Sequence, residues 1–283
     1  MDWTLKNFNK SMAREATGTV LEAFNRRLET IENINTDWSS WDDSYQFVQD
    51  LNNAYIESNL QEESLQTANL NLILYFDETG YIVYKKAASL GGVGDTTVPG
   101  EVFNYTTVSG KINIPEIIKS GEQESGLLYT TVGTFLYSVS PILTSAGEGP
   151  ATGALMMARY VNDSDVRELK KSTGYDLSLI DPTEVQRLYD GVRMEDLEKD
   201  AVIQEKNNML SVFVLARDSW ENPAKVINIR YNMVGFEDGY KLIAIMNFIS
   251  AILATAFALS WGKIMVLNDT QKPYYKKGGS EKS

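Results

Sequence analysis

Residues 242–261, LIAIMNFISAILATAFALSW, run for 20 positions without one charged side chain, and only Asn247, Ser250, Thr255 and Ser260 among them are strongly polar. An α-helix rises about 1.5 Å per residue, so a run of this length covers roughly 30 Å, the thickness of a bilayer's hydrocarbon core. It predicts a transmembrane helix over residues 239–263, a body of residues 1–240 on one side and a tail, 264–283, on the other. Lys241 stands at the front edge and Trp261 at the rear, and the stretch from Lys263 to Ser283 holds five lysines against two acids. Lysine-rich flanks stay on the cytoplasmic side, which sets the tail inside and the body outside. The competing reading of the run is a very apolar core helix. The start of the chain, MDWTLKNFNKSMAREA, carries charges where a secretory leader needs an apolar stretch, so an external body implies a first membrane anchor upstream.

Composition narrows the chemistry of that body. Its hydrophobic share of 43% over 283 residues is enough to bury a core, yet cysteine and histidine are both absent. That removes thiol nucleophiles, disulfides, Cys/His zinc sites, Ser-His-Asp triads and any histidine phosphoacceptor; no metal and no cofactor are expected. The formal charge is −12, and setting aside the +3 of residues 263–283 leaves 21 basic against 36 acidic residues, a balance of −15. An acidic body repels nucleic acid, and no basic stripe with interleaved aromatics is present to offset it. Nucleic acid is excluded as a partner.

The hydrophobic period divides the body. From about Leu5 to Tyr55 there is no proline and only one glycine, Gly18, while Phe8, Met12, Ala16, Val20, Leu21, Phe24, Leu28, Ile31 and Trp38 mark one stripe at helical spacing. A long amphipathic helix over residues 1–38 follows, able to pack on the body or to form a dimer seam. A second helical stretch covers about 39–66. The period then becomes two: Asn71–Tyr84 reads as two strands around Asp77-Glu78-Thr79-Gly80, and residues 126–132, 134–143 and 153–159 as further strands. The glycine-rich 89–100 reads as a loop and 114–119 as a short helix. A charged helix at 163–172 leads to a strand at 175–180. Residues 181–206 are acidic, helical or irregular, and 209–216 with 224–231 form a last hairpin. Sequential strands with tight turns give an antiparallel sheet, hence an α+β fold.

Two runs within this order are distinctive: Asp37, Trp38, Trp41, Asp42, Asp43 and Tyr45 in the pattern D-W-x-x-W-D-D-x-Y, and Leu70–Tyr84 in the pattern L-N-x-I-x-x-F-D-x-x-G-x-I-V-Y. With the GALMMARYVND strand and ELKKSTGYDLSLI after it, they resemble the fourth class of CHASE sensory domains over roughly residues 10–235. The resemblance implies an extracytoplasmic PAS-like or Cache-like sensor set between two membrane helices, feeding a histidine kinase or cyclase. It implies a module at 39–180, a membrane-proximal strand segment at 181–238, and a sheet whose face opposite the helix is concave.

Candidate chemistries separate on this frame. Asp37, Asp42 and Asp43 beside tryptophans suggest glycoside hydrolysis, but their mutual geometry on a helix assigns no acid/base pair. Gly91–Asp95, GGVGD, lacks the Lys-Ser/Thr of a phosphate loop, and Asp77–Gly80 lacks the ligand series of a calcium loop. No enzyme activity is expected of this chain, in which no output kinase or cyclase domain follows. A pocket for a small molecule is expected at Tyr75, Tyr84, Tyr129, Phe135, Tyr137 and Arg159, the arginine suited to an anionic group. Asp37, Trp38, Trp41, Asp42 and Tyr45 are expected to be the seam that couples the helix to the sheet, with Asp37 capping a helix that starts at Trp38. Residues 104, 162 and 268 begin Asn-x-Ser/Thr glycan-acceptor patterns. The functional expectation is the ligand-sensing part of a membrane receptor that relays binding to the transmembrane helix; the alternative is a membrane-anchored interaction protein serving a separate signalling subunit. Its partners are then an unidentified small ligand, the bilayer through residues 242–261, and a second copy along the N-terminal helix.

Overall fold

The computed structural model describes residues 3–89, 100–106, 111–130, 133–147, 149–207, 209–232, 244–246 and 248–250. The chain divides into two compact units, Ser11–Asn232 and the combined ends Met1–Lys10 with Met233–Ser283. In the latter, residues 244–246 and 248–250 are helical, with Ile245, Met246, Phe248 and Ile249 exposed. The remainder of the expected membrane helix, the tail and the GGVGD loop lie outside the described residues. Among the described residues no helix is long and apolar enough to cross a membrane.

Helix α1 (Trp3–Ser39) runs 37 residues without interruption. Its buried stripe is Ala13, Ala16, Val20, Ala23, Phe24, Ile31 and Asn35. Three alanines in that stripe carry almost no side-chain bulk, which lets the helix backbone lie close to its neighbour. Leu21, expected in the stripe, is 36% exposed; it follows Val20 by one position and therefore points about 100° away. Asn35 is fully buried, and its amide donates to the carbonyls of Ser138 and Leu155 at 2.9 and 3.0 Å.

The expected second helical stretch is three short helices, α2 (Asp42–Asp50), α3 (Asn53–Asn59) and α4 (Glu62–Thr67). Leu51 at φ +51° ends α2, and the Asn52 side chain accepts the Tyr55 amide to start α3.

A five-stranded antiparallel sheet follows, with strands β1 (Leu72–Asp77), β2 (Ile82–Ala87), β3 (Glu124–Thr130), β4 (Gly133–Pro141) and β5 (Gly153–Tyr160) in the order β2-β1-β5-β4-β3. The β1–β2 turn forms as its residues dictate: the Asp77 carboxylate accepts from the amides of Thr79 and Tyr81 at 2.9 and 3.0 Å, and Gly80 supplies φ +86°. Because β2 and β3 are opposite edges, the chain between them must cross the sheet. It does so through α5 (Gly100–Thr106) and α6 (Ile114–Ser120), which cover one face. Helices α1 and α2 pack on the other.

Helix α7 (Asp163–Thr173) leads out of this sheet. Asn162 and Asp165 form a capping box at its start, so the amide of the Asn162 glycan pattern is engaged in the fold. Then come β6 (Asp176–Ile180), β7 (Val202–Lys206), β8 (Met209–Arg217) and β9 (Pro223–Asn232), a second antiparallel sheet in the order β6-β9-β8-β7. Residues 181–206, expected as helical or irregular, hold short helical turns and then β7, an edge strand whose side chains are mostly exposed and so carry little period. The architecture is α+β with two antiparallel sheets, where the sequence reading has one sheet and a trailing hairpin.

Candidate functional site

The face beneath α5 and α6 has a floor of Leu72, Leu74, Phe76, Phe135, Tyr137, Val139, Ala154, Met156 and Ala158, roofed by Val102, Ile112, Ile114 and Ile117. One end is closed from outside this sheet. Asp218, at the tip of the β8–β9 hairpin and 5% exposed, accepts from the amides of Trp220 and Asn222 at 2.9 and 2.8 Å and holds the turn rigid. That turn docks on β3 through Ser219, whose amide donates to the Leu127 carbonyl at 3.1 Å. Trp220 then lies parallel to Tyr137, interplanar angle 3° and centroids 6.2 Å apart, and stacks on Tyr105 of α5 at 5.4 Å.

Gly126 makes the docking feasible, because a Cβ there would stand 2.0 Å from Ser219 Oγ. Gly126→Ala therefore turns the serine hydroxyl away and strips one partner from Tyr137, an expected loss of about 1 kcal/mol. In a double-mutant cycle by chemical denaturation, Ser219→Gly is expected to absorb most of that loss.

Polar groups gather at the same end. The Tyr137 hydroxyl donates to Glu124 at 2.9 Å and lies 3.1 Å from Ser219 Oγ. Burial first, and Glu124 second, push the phenol well above its ordinary pKa, so it remains a neutral donor. The Lys111 ammonium sits 5.0 Å over the Trp220 ring and 5.4 Å over that of Tyr105. Another cleft, of 380 Å³, is lined by Ile82, Val83, Tyr84, Lys85 and Phe103, with the Lys85 ammonium 4.5 Å over Phe103.

The six residues expected to line one pocket are divided between the two faces. Phe135 and Tyr137 belong to the floor just described. Tyr75 and Tyr84 pair across β1 and β2 on the opposite face, where Tyr75 meets Phe47 and Tyr55. Tyr129 follows Leu128 on the alternate side of β3, and its carbonyl accepts from the Tyr105 hydroxyl at 3.1 Å. Arg159 is spent on Asp165, which also takes Arg27 of α1 at 2.6 Å. A period-two reading places residues on faces within one strand; it leaves unfixed which faces of different strands coincide.

The seam residues are partly assembled. Trp38 and Trp41 stack at 5.1 Å, the Asp42 carboxylate accepts from the Ser145 amide and hydroxyl at 2.8 Å each, and the Tyr45 hydroxyl reaches the Pro150 carbonyl at 3.5 Å. The Ser145 amide, then its hydroxyl, hold the Asp42 carboxyl below its usual pKa. What these residues grip is the β4–β5 connection, with Ser39 also accepting from the Leu143 amide at 3.0 Å. Asp37 is not a cap: it lies inside α1, exposed, and α2 starts after Trp41 with no side-chain cap. The buried face of α2 is Ser44, Phe47 and Val48.

Residues that the sequence reading missed are Tyr105, Lys111, Glu124, Gly126, Ser219 and Trp220. One signal was available for Trp220: a large aromatic at the tip of a polar hairpin, DSWENP, has no core of its own strand to enter and must be covered by another element.

A long helix and short helices on one face of a five-stranded antiparallel sheet, with a second antiparallel sheet after it, is the build of a sensory-domain fold. The extracellular domain vpHK1S-Z8, assigned to a histidine kinase, shares it with a TM-score of 0.52 at 11% identity, over 81% of this chain and 92% of that one. The chain belongs to the CHASE4 domain family, whose profile matches residues 23–180. It is 23% identical over 178 residues to the methanogenesis regulatory histidine kinase FilI of Methanothrix harundinacea, a match over 62% of this chain and 20% of that protein. The chain thus spans about a fifth of the length of this curated relative. The periplasmic domain of Vibrio cholerae LuxQ matches with a TM-score of 0.46 at 10% identity, over 78% of this chain and 99% of that one.

Proposed function

We propose that the chain is the ligand-sensing part of a membrane signal-transduction receptor, taking a small molecule on the sheet face beneath α5 and α6. The observation that carries the reading is the Trp220 hairpin. It closes this face from the second sheet, and its strand β9 is the last strand before the apolar segment 242–261 in the sequence. A ligand that moves Trp220 therefore acts on the element leading to that segment. Only differential affinity for the two hairpin positions is required. On this reading residues 1–240 are extracytoplasmic, 239–263 cross the bilayer and the lysine-rich tail is cytoplasmic. Trp38, Trp41, Asp42 and Tyr45 then couple α1 to the β4–β5 connection. The phosphotransfer output belongs to a kinase that the receptor feeds.

The full chain, screened against small metabolites by thermal shift, is expected to give compounds that raise the melting temperature in the wild type and lose that effect in Trp220→Ala. A ligand present at about 100 times its Kd adds roughly 2.7 kcal/mol, a shift of several degrees. A library with no stabilising compound would count against sensing of a small molecule. Equal stabilisation of the wild type and Trp220→Ala would count against the hairpin as relay.

A further inference from the structure

We propose that Tyr105 and Trp220 form a cradle for an organic ammonium ligand, which takes the place of the Lys111 ammonium and is answered by the Glu124 carboxylate. The proposal rests on the reading of this face as the ligand face and adds the ligand's chemistry.

The chain's own lysine reports what the rings accept. Lys111 Nζ and the two ring centroids form a nearly equilateral triangle: 5.0 Å to Trp220, 5.4 Å to Tyr105, and 5.4 Å between the rings. Both rings therefore present negative quadrupole to one point, and an ammonium stands there. Among the described residues no ion pair includes Lys111. The lysine is also exposed, so its departure to water leaves no buried charge behind.

The counter-charge is joined to the cradle through one residue, Tyr137. Glu124 accepts from the Tyr137 hydroxyl and takes part in no ion pair among the described residues. The pairing Glu124↔Val139 puts it on the floor side of β3, and Tyr137 links it to the parallel face of Trp220. Ring faces and an uncompensated carboxylate both favour a cation and oppose an anion. A substituted ammonium is less strongly hydrated than a lysine ammonium and gives up less on entering such a cradle. The −15 balance of residues 1–262 raises the local concentration of cations at this surface. Trp220 sits in the turn between β8 and β9 of the second sheet, so exchange of Lys111 for a ligand changes the load on the hairpin that closes the site.

The test is a titration of the full chain with tetramethylammonium chloride against sodium chloride of equal ionic strength, following tryptophan fluorescence, in the wild type, Lys111→Ala, Glu124→Gln and Trp220→Phe. Lys111→Ala removes the resident competitor from an exposed position and is expected to tighten binding about tenfold. Glu124→Gln in the Lys111→Ala background is expected to weaken it about fivefold. Trp220→Phe, which keeps a ring and the packing, is expected to weaken it about threefold. Binding by Lys111→Ala that is no tighter than by the wild type, or a response matched by sodium chloride, overturns the proposal. Anionic or neutral compounds that stabilise the chain while Lys111→Ala ignores tetramethylammonium would also overturn it and leave the sensing reading standing. Ammonium binding tightened by Lys111→Ala supports it even where a metabolite screen finds nothing.

Discussion

Asp165→Asn is expected to cost the fold about 3–5 kcal/mol, the range for breaking a buried ion pair by removal of one partner. Asp165 is 1% exposed, and its carboxylate is shared by Arg27 of α1, at 2.6 Å, and Arg159 of β5. Arg159 is 9% exposed at its side chain and has no other ion-pair partner among the described residues, so the asparagine strands a guanidinium in a dry site. The second carboxylate oxygen accepts from the Asn162 amide at 2.8 Å and completes the cap of α7, a role the asparagine can fill only by turning its own oxygen that way. Arg27 keeps Glu168 at 2.7 Å, but that partner is 65% exposed, and water screens the pair. Chemical denaturation of the full chain measures the loss. Glu168→Gln serves as the control, with an expected loss below about 1 kcal/mol. A loss of that small size for Asp165→Asn would show that α1 is held by its apolar stripe alone.

This network also marks the limit of what the sequence displays. Arg159 was legible as an arginine near the end of a buried strand, and an anion was inferred for it. The anion is Asp165, six residues on in the chain, brought back by the capping box that starts α7. A cap and an ion pair using one carboxylate look, in sequence, like an ordinary helix start. The same holds in part for α1: Ala16, Val20, Phe24 and Ile31 of the expected stripe are buried, but Ala13, Ala23 and one buried amide, Asn35, join them without having stood out in the sequence. Alanine is apolar without being distinctive, so this part of the buried stripe leaves the faintest pattern.

Strands β1, β4 and β5 were legible as short apolar and aromatic runs bounded by turn residues, because both of their faces are buried. β7 was not, since an exposed edge strand has no buried face to impose a period. The site suffered from the same cause at longer range. Tyr105, Glu124, Tyr137 and Trp220 lie on four elements spread over 116 positions: β3–β4 pairing joins Glu124 to Tyr137, the Tyr105 hydroxyl ties α5 to β3, and the β8–β9 docking at Gly126 adds Trp220. The D-W-x-x-W-D-D-x-Y run was legible as a family mark and as a joint. What it joins, the connection between β4 and β5, depends on Ser145 and Pro150, which lie in a small-residue loop with no pattern of their own.

Phe47→Ala is expected to match Asp165→Asn in size, at about 3–5 kcal/mol, through a different mechanism. Phe47 is fully buried on the face of α2 that meets the sheet. It stacks on Tyr55 at 4.6 Å and meets the edges of Tyr75 and Tyr84 at 5.0 and 5.4 Å. Beside it runs a chain of hydroxyls, Ser44 to Tyr55 at 2.6 Å and Tyr55 to Tyr75 at 2.9 Å. Burial raises both phenols above their ordinary pKa and keeps them as neutral links in that chain. The hydroxyls cannot hold α2 unaided, because their geometry depends on Tyr55 lying flat against the Phe47 ring. Tyr75→Phe, which removes one hydroxyl and no volume, is accordingly expected to cost only about 1 kcal/mol, and Phe47→Leu falls between the two. The consequence reaches the joint. With Phe47 gone, the Asp42 bonds to Ser145 are exposed, and such bonds are too weak to position α2, so the Trp38–Trp41 stack and the β4–β5 connection should loosen with it. Chemical denaturation read by far-ultraviolet circular dichroism and by tryptophan fluorescence separates the outcomes. Coincident curves with a lowered midpoint mean that α2 is part of the cooperative core. An early fluorescence change that precedes loss of secondary structure means that α2 and its joint detach as a unit, and the seam can then move without unfolding the sheets.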